Sequence, residues 1–220
     1  MLWDHLTPIW RGCIEEAWTA YQAGSLPIGA VITDHSGAIL ARGRNRFYET
    51  YATTETTETA PLLCGHRLAH AEMNALLALD WRTVDHHTCV LYTTTEPCPL
   101  CVGAIRMTRL QEVHFAARDG AAGSVDLFTA NDFMRRGQVR VFGPDNPLLE
   151  TALVAMLVEF GLHQNDENTA TWVERLGATV PAALHLGTQL AHTGQLRAFA
   201  AAHTPASNVL NALAALAHAN

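Results

Sequence analysis

The sequence predicts an α/β domain followed by a helical extension, and three features lead to that reading. Short apolar runs suited to strands recur at 26–32, 38–41, 89–94, 112–117 and 139–142. Stretches with helical three-to-four spacing flank them at 3–23, 70–79, 98–109 and 147–160. From Leu176 onward Arg197 is the only charged residue, in a tail with two further helical stretches. A chain of 220 residues is long enough for one domain with a sizeable core plus an appendage. The boundary is expected near His163, giving a domain over 1–163 and an extension over 164–220.

Taken in order, the first helix sets Trp10, Cys13, Ile14, Ala17, Trp18 and Tyr21 on one face and Glu15 and Glu16 on the other, and Gly24 ends it. The runs Leu26 to Ile32 and Ala38 to Ala41 are separated by Asp34-His35-Ser36-Gly37, the pattern of a β-hairpin. The second strand is expected to continue through Arg46, with Arg42, Arg44 and Arg46 on one face and Asn45 on the other. Residues Cys89 to Thr94 form a strong strand, and the helix from Cys98 to Arg109 makes a β-α-β crossover into Glu112 to Ala117. Val139 to Phe142 is a short strand, and Pro147 to Phe160 an amphipathic helix. The polar stretch His163 to Asn168 reads as a linker. Pro181 to Ala202 and Pro205 to His218 read as helices with proline at the first helical position. With so little charge, this tail is expected to pack on the domain or across a dimer interface.

Composition removes several classes of function. All fourteen basic residues are arginines, so lysine-dependent phosphate loops and Schiff-base chemistry are excluded. A net charge of −7 offers little general attraction to a nucleic-acid backbone. Met1 to Trp10 lacks a basic segment followed by an apolar run, and Ala198 to Asn220 is too polar to span a bilayer. A cytoplasmic protein with no membrane partner is expected. Of five cysteines, Cys13 and Cys89 lie in apolar segments suited to buried free thiols.

The chemistry concentrates in His70-Ala71-Glu72 and Pro97-Cys98-Pro99-Leu100-Cys101. One imidazole (His70) and two thiolates (Cys98 and Cys101) suit one Zn²⁺ per chain and leave a fourth tetrahedral position open. Both segments open helices, whose N-terminal partial charge favours thiolates. Glu72 stands two positions from a ligand, within reach of a water at the metal, and is the candidate proton shuttle. Two alternatives attach to these residues: a redox cysteine pair, and a closed structural site with Cys64 or His66 as fourth ligand.

The H-x-E of His70 to Glu72, together with the E-P-C-x-x-C of Glu96 to Cys101, resembles the signature of the cytidine deaminase-like superfamily. The similarity is greatest to its nucleoside and nucleobase deaminase branch, which includes the bacterial tRNA adenosine deaminases. Leu26 to Val31 is similar to that family's P-[IV]-G-A-V strand, and Arg118 to Ser124 resembles the A-R-D run with downstream G-A-A-G-S of the tRNA adenosine deaminases. The resemblance spans about Trp10 to Gly161. It implies a three-layer α/β/α fold with a mixed five-stranded sheet, bound zinc, Glu72 as the catalytic group and a homodimer.

By the same resemblance Asn45 contacts the base or sugar edge, Pro27, Ile28, Gly29 and Ala30 wall the base pocket, and Ala71 and Asp119 join the substrate-binding set. A turn asparagine and a turn-capping aspartate are the alternatives for Asn45 and Asp119. Residues 47–69 depart from the family pattern through an insertion carrying Glu49, Glu55 and Glu58, read as a surface loop or lid. The expected activity is zinc-dependent hydrolytic deamination of the exocyclic amine of a free nucleobase or nucleoside, with ammonia released. A tRNA-specific adenosine deaminase is the alternative, and a non-catalytic zinc-stabilised binding protein a further one.

Overall fold

The computed structural model describes residues 1–49, 63–164 and 167–219. Its strands are β1 (Gly29–Thr33), β2 (Ile39–Arg44), β3 (Val90–Thr93), β4 (Glu112–Phe115) and β5 (Arg140–Phe142). They form one mixed sheet in the order β2-β1-β3-β4-β5, antiparallel across β2-β1-β3 and parallel across β3-β4-β5. The helices are α1 (Pro8–Gln22), α2 (Ala71–Ala78), α3 (Pro99–Met107), α4 (Asp132–Arg135), α5 (Pro147–Leu162), α6 (Glu167–Thr179), α7 (Pro181–Thr193), α8 (Gln195–Ala201) and α9 (Ala206–Ala219).

Two cores flank the sheet, which makes the three-layer arrangement. On one face Ala71, Ala75 and Leu76 of α2 and Val102 and Ile105 of α3 pack on Ile32, Leu91 and Val113. On the other, Ile14, Trp18 and Tyr21 of α1 join α5 and the extension in a single core. Every residue of β1 is buried because helices cover it on both sides.

Several elements differ from their sequence-based outlines for identifiable reasons. The first helix begins at Pro8, where a residue without an N–H fits the first position and the Thr7 hydroxyl accepts from the Trp10 amide; Leu2–His5 is a separate 3-10 turn. Strand β2 stops at Arg44. Arg42 pairs with Glu15 and Glu16 of α1, while Arg44 and Arg46 both pair with Glu49, so the three arginines do not share one partner. Glu49 is 6 % exposed and neutralised, not an exposed acid; residues 50–62 of the insertion, with Glu55 and Glu58, lie outside the described residues.

Helix α5 is buried on nearly every side instead of along one stripe, because α6, α7 and α9 cover the face that would otherwise meet water. The stretch 181–202 is two helices, α7 and α8, separated at Gly194 with φ +67°. Helix α6 was not legible as an element: its polar start blends into the linker. Among the described residues no helix is long and apolar enough to cross a membrane.

Candidate active site

The three expected ligands meet where α2 and α3 begin. His70 is the N-cap of α2 and Cys98 the N-cap of α3, with Pro99 at the first helical position and Cys101 in the first turn. Neither N-cap side chain makes a capping hydrogen bond to its helix, so the imidazole and the thiol face each other. Helix α2 is held close to β2 at Gly43, where a Cβ would lie 2.2 Å from the Ala75 amide nitrogen and 2.3 Å from the Ala71 carbonyl oxygen.

The ligand atoms fit zinc. Cys98 Sγ and Cys101 Sγ lie 3.4 and 3.6 Å from His70 Nδ1 and 3.7 Å from each other. A tetrahedral zinc ion with ordinary bond lengths sets such atoms roughly 3.6 Å (sulfur to nitrogen) and roughly 3.8 Å (sulfur to sulfur) apart. Cys64 and His66 are not in this group, the only such cluster among the described residues. Cys64 is buried elsewhere and His66 Nδ1 accepts from the Leu68 amide, so the expected alternative of a closed four-ligand site has no fourth ligand here. Cys13 and Cys89 are buried free thiols.

Proton affinities in the cluster divide unevenly. Its contact with Cys101, aided by His70, pulls the Cys98 thiol down to about 4 against its burial. Cys101, in contact with Cys98 and buried, is pushed well up. The His70 imidazole is raised chiefly by its contact with Cys98. A cluster that stabilises one thiolate beside a second thiol is set up to receive a cation.

Glu72 is 4 % exposed, and burial raises its proton affinity. Thr93 Oγ1 donates to Glu72 Oε1 at 3.1 Å, and Cys101 Sγ donates to Oε2 at 3.3 Å. The carboxylate is thereby fixed next to the ligand cluster.

Glu72, His70 and Cys98 open into a cavity of about 150 Å³ whose other walls include Leu26, Ile28, Asn45, Thr95, Asp119 and Trp172. Asn45 is buried; its Oδ1 accepts from Ser25 Oγ at 2.8 Å and from the Phe47 amide at 3.0 Å, and its amide nitrogen donates to no described residue. Asp119 reaches the cavity and also caps a turn, its Oδ1 accepting from the Ala121 and Ala122 amides.

Of the residues expected to wall the pocket, Ile28 lines the cavity, whereas Pro27, Gly29 and Ala30, and Ala71 at the start of α2, are buried and not in its lining. Gly29 sits under α1, where a Cβ would come within 2.1 Å of the Cys13 carbonyl oxygen. Glu96 is a buttress: its carboxylate accepts from the Asp119 and Val125 amides and ties the glycine-rich loop to the start of α3.

Leu26, at the head of the run expected to wall the pocket, lines the cavity, and two wall residues escaped sequence reasoning. Thr95 is 3 % exposed with a hydroxyl that has no hydrogen-bond partner among the described residues. Trp172 lies on the unread helix α6, although its spacing to Val173 and Leu176 is a helical signal.

Comparison with known proteins agrees with this geometry. Residues 6–117 match the cytidine and deoxycytidylate deaminase zinc-binding region. The chain is 37% identical over 118 residues to a tRNA-specific adenosine deaminase of Bacillus subtilis, covering 51% of this chain and 62% of that protein. It is 34% identical over 149 residues to a guanine deaminase of the same species, covering 64% of this chain and 82% of that protein. The crystal structure of a Bacillus subtilis guanine deaminase aligns with 32% identity and a TM-score of 0.40, covering 50% of this chain and 63% of that one. With the motif, the ligand geometry and the matched region in agreement, the chain belongs to the cytidine and deoxycytidylate deaminase zinc-binding family.

Proposed function

We propose that this protein is a zinc-dependent hydrolytic deaminase of a free nucleobase or nucleoside. The observation that carries the reading is the convergence of His70, Cys98, Glu72 and Asn45 on one small cavity. His70, Cys98 and Cys101 would hold the zinc. When bound, zinc supplies the Lewis acidity that makes water a competent nucleophile near neutral pH. Glu72, oriented by the Thr93 hydroxyl, takes a proton from the attacking water and delivers it to the ring nitrogen and then to the leaving amine. One C–N bond is broken, one C–O bond is formed, one water is consumed and one ammonia is released. Asn45, anchored through its oxygen, offers its amide N–H groups to the base or sugar edge.

The test is ammonia release by zinc-loaded protein from cytosine, adenine, guanine and their nucleosides, with Glu72→Gln as control. The expected result is release from at least one compound, reduced by about 10²–10⁴-fold in the variant while metal analysis still finds one zinc per chain. Unchanged turnover in Glu72→Gln would remove the proton-shuttle role.

A second reading, deamination of an adenosine within tRNA, is favoured by the run Arg118 to Ser124 and by the 37% identity to a tRNA-specific relative. The net charge of −7 weighs against it. Arg118 is moreover engaged, its guanidinium and backbone amide both donating to Glu150. Filter binding across a salt series separates the two, because recognition of tRNA requires an affinity that falls steeply as salt rises.

A further inference from the structure

Helix α6 belongs to the extension, yet it supplies a wall of the cavity. Trp172, half-buried, lines the cavity together with Leu26, Ile28 and Glu72. The same side chain lines a neighbouring chamber of about 570 Å³, shared with Leu26, Phe47, Tyr48 and Phe160 among the described residues. One indole thus stands between the compartment that holds the chemistry and a larger aromatic one.

This placement is built into the packing. At Gly161 on α5 an added Cβ would lie 2.9 Å from Trp172 Cζ3 and 2.6 Å from Val173 Cγ2, so the indole rests where only a bare backbone leaves room. At Gly120, in the loop carrying Asp119, an added Cβ would lie 1.9 Å from Thr179 Oγ1 and 2.6 Å from the Arg175 carbonyl oxygen. Helix α6 is therefore wedged between α5 and the substrate-side loop. Val173 at 5 % exposure and Leu176 at 0 % anchor it in the core.

We infer that Trp172 is a specificity-determining residue of this pocket: its indole packs against the planar ring of the substrate, so that the extension selects what the zinc motif then deaminates. This rests on the deaminase reading above. Among the cavity's other lining groups, Ile28 and Leu26 are apolar and not planar, and Asn45 and Asp119 address ring edges. A flat heteroaromatic ring gains most from a second flat face, and apart from the candidate ligand His70, Trp172 is the only aromatic side chain among the described lining residues.

The test compares Trp172→Ala and Trp172→Phe with the parent for the base or nucleoside that releases ammonia fastest. Trp172→Ala is expected to raise KM by about tenfold or more, and Trp172→Phe to return it to within about threefold of the parent. Calorimetry with the same compound on zinc-loaded Glu72→Gln protein, with and without Trp172→Ala, is expected to show Kd rising in proportion. Should the alanine variant melt early, Trp172→Leu fills the space without an aromatic face and carries the same expectation.

KM and Kd within about twofold of the parent in a variant of unchanged melting temperature would overturn the inference, as would a loss confined to kcat. If the parent releases no ammonia from any compound, the deaminase reading fails and calorimetry with guanine, adenine and cytosine decides alone. Binding of a base that Trp172→Ala weakens upholds the aromatic wall; no binding, or binding indifferent to the substitution, overturns it.

Discussion

At the scale of single residues, burial makes a side chain's partners decisive. Glu72 and Thr95 are both buried around the cavity, but Glu72 is held by Thr93 and Cys101 while the Thr95 hydroxyl has no partner among the described residues. An unpaired buried hydroxyl costs stability that an isosteric methyl does not. Thr95→Val is therefore expected to stabilise the free protein by about 1 kcal/mol, read from the denaturant midpoint. Asn45, which the family resemblance assigned to a substrate edge, lines the cavity. That its oxygen is spent on Ser25 and Phe47 depends on a loop geometry no spacing rule contains.

At the scale of elements, the site is a matter of where two helices start. Pro97 just ahead of Cys98, and the apolar periodicity of Ala71, Ala75, Leu76 and Leu79, made both helix starts legible. The distance between them is set by how closely α2 lies on the sheet, and Gly43 sets that distance. Gly43→Ala forces a Cβ into the α2 backbone and is expected to destabilise the fold by about 1–3 kcal/mol. It should also lower zinc retained after dialysis against a chelator, because His70 moves with α2. Undiminished stability would show that α2 can shift without cost. Helix α6 was illegible for the opposite reason: its signal is short and follows a polar stretch, and its helical face is decided by α5 and α7.

At the scale of the whole molecule, the extension and the domain share one core, centred on α5. Glu159 lies inside it at 0 % exposure. Tyr21 Oη donates to its Oε2 at 2.8 Å, and His163 Nε2 and Arg197 Nε stand 3.2 and 3.9 Å from Oε1. Burial outweighs these partners and raises its proton affinity above the ordinary carboxylate value of 4.5. The folded chain then keeps a proton that the unfolded chain has lost. The stability from this group is full below about pH 4.5 and is lost as pH rises through the raised folded value. Denaturation midpoints for the parent should show this downward component above pH 4.5, and Glu159→Gln should remove it. Truncation after His163 is expected to yield an aggregating, dye-binding species, because it uncovers the outer face of α5; a soluble, cooperatively melting fragment would show that the domain holds its core alone.

The sequence by itself determined the α/β class, the hairpin and crossover, the ligand set His70, Cys98 and Cys101, and the neighbouring carboxylate Glu72. These follow from local periodicity, capping chemistry and short-range spacing, which the chain carries within a few residues. Only the tertiary structure decided that Glu49 neutralises two arginines, that Cys64 and His66 stand apart from the ligand cluster, and that Trp172 reaches the cavity. Each of those depends on segments distant in sequence packing against one another, and side-chain identity does not specify which distant neighbour it will meet.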